Sequence, residues 1–125
     1  MEVLIIEDNC INLQLMTYLL QSYGITVATA TDGKRGLKLA ALLRPDLIIC
    51  DVYMPGLDGF EVASVLKAQP NLAHIPLVAV TAMARAEDRE RLLQGGFDYF
   101  ISKPIEPKTF ATDIVTQIVR RKKNG

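Results

Sequence analysis

Hydrophobic residues gather in five short runs: Val3–Ile6, Val27–Ala30, Leu47–Cys50, Leu77–Val80 and Tyr99–Ile101. Four of these show no alternation with polar residues, the pattern of strands covered on both faces. The second, Val27-Ala28-Thr29-Ala30, is weaker and reads as an edge strand. Helical periodicity fills the stretches between and after them. Leu15, Met16, Leu19, Leu20 and Tyr23 form one apolar face, with Gly24 as its stop. Leu37, Ala40 and Ala41 mark a second helix that closes near Pro45, and Val62, Ala63 and Leu66 mark a third, opened by Asp58 or Gly59. The fourth, roughly Ala86 to Gln94, is mostly charged; Leu92 and Leu93 are its clearest apolar contacts, and Gly95-Gly96 ends it. Pro107 suits the first turn of a fifth, in which Phe110, Ile114 and Ile118 recur at steps of four.

Strands that alternate with helices predict right-handed crossovers and a parallel sheet. At 125 residues, half of them hydrophobic, the chain suits one domain with one core and no repeat or low-complexity stretch. The 14 basic and 14 acidic residues cancel, which argues against a broad basic surface for nucleic acid. The basic cluster at 120–123 suits the negative end of a helix dipole, or the start of a linker. Two cysteines make no disulfide framework: Cys50 closes an apolar run and is expected to be buried, and Cys10 is expected in a loop. Neither a zinc cluster nor a leader segment nor an apolar stretch of about 18 residues is present, so the protein is expected to be soluble and cytoplasmic.

The informative feature is where charge interrupts apolarity. The first strand runs into Glu7-Asp8, the third into Asp51, the fourth into Thr81, and the fifth, past Ser102, into Lys103. Open parallel sheets bind ligands outside the carboxyl ends of their strands, where the strand order reverses. With the order 2-1-3-4-5, strands 1 and 3 are neighbours and Glu7, Asp8 and Asp51 converge. Three carboxylates repel one another and need a cation; oxygen ligands without His or Cys suit Mg²⁺. A metal beside a carboxylate, a hydroxyl and an ammonium makes sense where phosphoryl oxygens are handled, and a carboxylate can itself become an aspartyl phosphate. Taken singly, each signal has a plain structural reading: Asp8 or Asn9 as a helix cap, Lys103-Pro104 as a loop that a cis peptide would suit, and His74 before Ile75-Pro76 as a loop residue.

Taken together, Glu7-Asp8-Asn9, Asp51, Met54-Pro55-Gly56 with Asp58-Gly59, Thr81-Ala82 and Lys103-Pro104 resemble the receiver domains of two-component signalling, across essentially the whole chain. The opening Glu7-Asp8-Asn9 with Asn12 is similar to single-domain cell-division regulators and to the receivers of hybrid kinases. The resemblance implies a flavodoxin-like (βα)5 domain over residues 1–125. It implies that Asp51 accepts a phosphoryl group from a histidine kinase or histidine phosphotransfer protein. Asp8, Asp51 and the backbone carbonyl of Tyr53 would hold Mg²⁺, with Glu7 acting through water. Lys103 would hold a phosphoryl oxygen. Thr81 would follow the phosphoryl group, with small Ala82 leaving it access, and Phe100 would be the aromatic switch residue. Since Phe100 lacks a hydroxyl, only ring packing can serve there; its structural alternative is plain core. The output surface would be the face of the fourth helix, fifth strand and fifth helix, including Glu87, Arg89 and Arg91. It would meet a downstream protein or a fused output domain, with no direct contact to nucleic acid or membrane. Tyr53 and Met83, flanking the path of hydrolytic water, carry no group suited to orient it, so self-dephosphorylation is expected to be slow. Two other functions share parts of this pattern: a receiver-like binding module that works without phosphorylation, and a Mg²⁺-dependent phosphohydrolase. The latter wants a second aspartate where Tyr53 stands. Nucleotide or flavin binding lacks a glycine-rich phosphate loop after the first strand.

Overall fold

A computed structural model describes residues 1–82 and 85–124, except for the side chains of 119 and 121–124. Five strands, β1 (Glu2–Ile6), β2 (Thr26–Ala30), β3 (Leu47–Asp51), β4 (Leu77–Thr81) and β5 (Tyr99–Ser102), alternate with α1 (Cys10–Gln21), α2 (Gly33–Leu43), α3 (Gly59–Lys67), α4 (Ala86–Gln94) and α5 (Phe110–Asn124). All the pairings are parallel and the order is β2-β1-β3-β4-β5, as expected, with β2 at an edge. This is the flavodoxin-like α/β fold. Every residue of β3 and β4 is buried, which is why their sequences carry unbroken apolar runs.

Pleating sends alternate residues to opposite layers. Leu4, Ile6, Ile48, Cys50, Leu77 and Ala79 pack under α2, α3 and α4 with Val62, Leu66 and Leu92. Val3, Ile5, Leu47, Ile49, Val78 and Val80 pack under α1 and α5 with Met16, Leu20, Phe110, Ile114 and Ile118. No helix of the described residues is long and apolar enough to cross a membrane.

Several local expectations need correction. Cys10 is the exposed first residue of α1, not a loop residue, because Asn9 takes the cap and accepts from the Asn12 N–H at 3.0 Å. Tyr23 is 58% exposed: α1 stops at Gln21 and the chain reverses through Gly24, whose φ is +76°. Ala41 is exposed, and α2 instead buries Gly33, Gly36 and Ala40, with Gly36 seated on the Ile6 side chain. Leu93 is 59% exposed, leaving Leu92 as the apolar anchor of α4. Pro107 lies in a turn ahead of α5, where the Glu106 carbonyl accepts from the N–H groups of Thr109 and Phe110. Asp51, Thr81 and Ser102 are the last residues of their strands rather than the first beyond them.

Candidate functional site

The carboxyl ends of β1, β3, β4 and β5 form one rim. Glu7 follows β1 and is fully buried, its own N–H donating to the Ala30 carbonyl of β2 at 3.0 Å. Asp51 ends β3 and is 6% exposed; Thr81 ends β4 and is buried; Asp8 is exposed in the β1–α1 loop. Ligand oxygens of Glu7, Asp8 and Asp51 lie within 4.8 Å of one another. Lys103 follows β5, its N–H held by the Thr81 carbonyl at 2.9 Å, and its peptide bond to Pro104 is cis. Its Nζ stands 3.2 Å from Glu7 Oε1 and 3.3 Å from Asp51 Oδ2. The rim thus brings together Glu7, Asp8, Asp51 and Lys103, with Thr81 on the neighbouring strand.

Burial sets the electrostatics. Loss of water pushes the Glu7 carboxyl up from its ordinary 4.5 to about 7, assisted by a hydrogen bond and repulsion from Asp51. The Asn9 N–H, 3.2 Å from Oε2, and the Lys103 charge pull the other way without cancelling it. Burial also works against the Lys103 ammonium, but Asp51 and Glu7 outweigh it and hold its pKa above 10.5. The buried Cys50 thiol is pushed far up by desolvation and plays no ionic part. Oε1 of Glu7 faces Lys103 without a well-directed hydrogen bond, so a fully buried carboxylate keeps a lone pair for another partner. With three carboxylates and no softer donor in the cluster, the group fits a hard divalent cation.

Other expected residues fall around this centre. Tyr53 is 59% exposed in the loop after β3, Phe100 is half-buried in β5, and Met83 lies outside the described residues. His74 is exposed in the turn before β4, away from the acidic cluster.

The loop after β3 depends on a glycine whose need the sequence shows only weakly. Asp58 caps α3 in a reciprocal box with Glu61, and the Gly59 N–H donates to the Val52 carbonyl at 2.7 Å. A Cβ on Gly59 would sit 2.6 Å from the Asp51 carbonyl oxygen and 2.7 Å from Val52 Cα, both of them backbone. Gly59→Ala is therefore expected to cost about 1–3 kcal/mol in a denaturant melt. The same substitution is expected to displace the loop next to Asp51, read as shifts of the Asp51 and Val52 amide resonances.

A doubly wound parallel sheet with an acidic, lysine-lined cleft at its switch point is the architecture of phosphorelay signalling domains. The family model for the response regulator receiver domain matches residues 3–115, and the chain belongs to that family. It is 42% identical over 112 residues to the polar-differentiation response regulator DivK of Brucella anthropi, covering 90% of this chain and 91% of that protein. Among solved structures it resembles the receiver domain of the sensor histidine kinase PA1611 of Pseudomonas aeruginosa, a structure with a magnesium ion coordinated in its active site cleft. That match has 32% identity and a TM-score of 0.82, over 95% of this chain and 94% of that one. It also resembles the chemotaxis response regulator CheY4 of Vibrio cholerae, at 29% identity and a TM-score of 0.87 over 94% and 97% of the two chains.

Proposed function

We propose that the chain is a single receiver domain over residues 1–125 that takes a phosphoryl group onto Asp51 in a Mg²⁺-dependent reaction. The observation that carries this reading is the double approach of Lys103 Nζ to Glu7 and Asp51, beside the oxygens of Asp8. The donor is the phosphohistidine of a histidine kinase or phosphotransfer protein. A carboxylate oxygen of Asp51 attacks phosphorus in line; the phosphorus–nitrogen bond breaks, and its electron pair stays on the donor imidazole. Asp8, Asp51 and the Tyr53 carbonyl would hold Mg²⁺, with Glu7 acting through water, and the ion would supply positive charge for the phosphoryl oxygens. Lys103 pairs with one of those oxygens and the Thr81 hydroxyl donates to another.

The product is a switch rather than a turnover catalyst. New charge at Asp51 favours one arrangement of the surrounding loops and shifts a pre-existing equilibrium. Phe100 and the outer surface of α4, β5 and α5 report it to a downstream protein or fused output domain. A binding module that works without phosphorylation has less support, because the pocket retains its acidic residues and its lysine.

Incubation with acetyl phosphate tests this by intact mass. The expected result is one phosphoryl adduct with Mg²⁺ present and none with EDTA. The adduct is expected to decay over minutes or longer, because exposed Tyr53 offers no carboxylate or amide to orient water. Absence of any adduct favours the phosphorylation-independent module, and steady turnover of a generic phosphate ester favours the phosphohydrolase.

A further inference from the structure

α4 is seated in an unusual way. Of its nine residues only Asp88 and Leu92 are buried, and the Asp88 carboxylate is committed to the helix start, accepting from the Arg85 N–H at 3.2 Å. Leu92 is left as the apolar anchor. At about 100° per residue, Arg89 and Arg91 fall some 80° to either side of the Asp88–Leu92 ridge. Each carries its guanidinium over a phenylalanine ring. Arg89 stands 5.2 Å from the ring centre of Phe100 on β5, and Arg91 stands 5.3 Å from that of Phe60 on α3. α4 is thus straddled by two cation–π contacts.

The two flanks differ. Phe60 is pinned: it meets Phe97 edge-on at 6.0 Å, and a Cβ on Gly95 would come within 2.8 Å of its ring. Phe100, half-buried like Phe60, has one ring neighbour in the adjacent Tyr99 at 6.3 Å and a 31° tilt, and its register partner across β4 is Ala79, too small to block a turn of the ring. Leu77 and Ala79 line the same layer that Phe100 packs against, so Thr81, two residues past Ala79, is a same-face diagonal neighbour of that ring.

We propose that Arg89 is a latch: its guanidinium holds the Phe100 ring in its half-buried seat, and release of that contact carries a change at the acidic rim to the outer surface of α4. The proposal rests on the phosphoacceptor reading above. A group on Asp51 that draws the Thr81 hydroxyl toward it opens volume on this face of the sheet. The ring fills that volume by turning inward and leaves Arg89. Arg89 is a positioning residue; it touches no reacting atom. The Arg91–Phe60 contact stays in place as the fixed flank.

The test uses Arg89→Gln, Arg89→Lys, Arg91→Gln and wild type, each titrated with beryllofluoride in excess Mg²⁺ and followed by amide shifts. Hydrogen exchange of the α4 amides is measured without ligand. A half-exposed cation–π contact is worth a factor of roughly 2–5 in an equilibrium constant. Arg89→Gln is therefore expected to lower the half-saturating beryllofluoride concentration by about that factor and to speed α4 exchange similarly. Lysine is expected to restore both in large part. Arg91→Gln is expected to speed exchange while leaving half-saturation unchanged. An Arg89→Gln half-saturation that is unchanged or raised, or no rescue by lysine, overturns the latch. Failure of the wild type to take up beryllofluoride defeats the phosphoacceptor reading instead. Exchange then still decides the latch: rates equal to wild type in Arg89→Gln overturn it, and faster rates restored by lysine support it.

Discussion

Asp51→Asn protein is expected to gain no phosphoryl mass from acetyl phosphate and Mg²⁺, under conditions where wild type gains one adduct. An amide in place of the carboxylate has no anionic oxygen to attack phosphorus and is a weaker ligand for the cation, so nucleophile and metal ligand go together. Stability should separate this change from simple damage. In the metal-free protein Asp51 raises the Glu7 pKa through both a hydrogen bond and repulsion, and its removal leaves Glu7 paired with Lys103 at 3.2 Å. Lost attraction to Lys103 is offset by relief of like charge. The unfolding free energy of Asp51→Asn from urea melts at pH 8 should therefore hold or rise, by on the order of 1 kcal/mol, about one pKa unit's worth. Millimolar Mg²⁺ is expected to stabilise the wild type, and to do so less in Asp51→Asn. Wild-type levels of adduct would place the acceptor elsewhere, and a fall of several kcal/mol would show that Asp51 holds the fold together.

The central strands were readable in the sequence because both layers cover them, so β3 and β4 carry unbroken apolar runs up to their last residue, while β2 at the edge mixes threonine with valine and alanine. The criterion stops at the first polar residue, and hydrogen bonding does not. Asp51, Thr81 and Ser102 each continue their ladders by one residue and so are held by the sheet itself. Helix faces were less legible where glycine does the packing. Side-chain counting favours Ala41 over Gly36, yet Gly36 is buried against Ile6 because the absence of a side chain lets α2 approach the sheet. Tyr23 and Leu93 obey the helical period but lie where the helix has ended or turned to solvent, which periodicity alone does not register.

The acidic site was legible for a different reason: strand order turns distant positions into neighbours, and polar residues at strand ends need only that order to meet. Finer features depend on ångström distances and left no mark in the residue pattern. That Lys103 divides its charge between Glu7 and Asp51 is one. The close passage of Gly59 over the backbone of Asp51 and Val52 is another. The guanidinium contacts of Arg89 and Arg91 are a third; in sequence these residues read as part of an output surface, with nothing to show the rings beneath them.

Lys103→Met is expected to have the opposite stability signature to Asp51→Asn, and one that depends on pH. Glu7 has its pKa raised from 4.5 to about 7, so between those values the folded protein holds a proton that the unfolded chain has released. Stability in the metal-free protein therefore falls as pH rises from about 4.5 to about 7 and levels off above. Lys103 limits that fall, since its ammonium lowers the cost of ionising Glu7 beside Asp51. Without it Glu7 titrates higher still, and two carboxylates share a buried site uncompensated. At pH 8 the loss should be on the order of 3 kcal/mol, the scale for removing one partner of a buried ion pair. At pH 5, where Glu7 is neutral in both proteins, the deficit should be smaller by up to about 1.4 kcal/mol, the linkage available between a Glu7 pKa of about 7 and pH 8, and the remainder reports the lost Asp51 pairing. Saturating Mg²⁺ should recover much of it at pH 8 by returning positive charge to the site, while phosphoryl transfer stays slower by about 10²-fold or more, since the metal does not replace the ammonium on the phosphoryl oxygen. Urea melts at the two pH values, with and without Mg²⁺, measure each term. A deficit equal at pH 5 and pH 8 would remove Glu7 as the group that Lys103 serves.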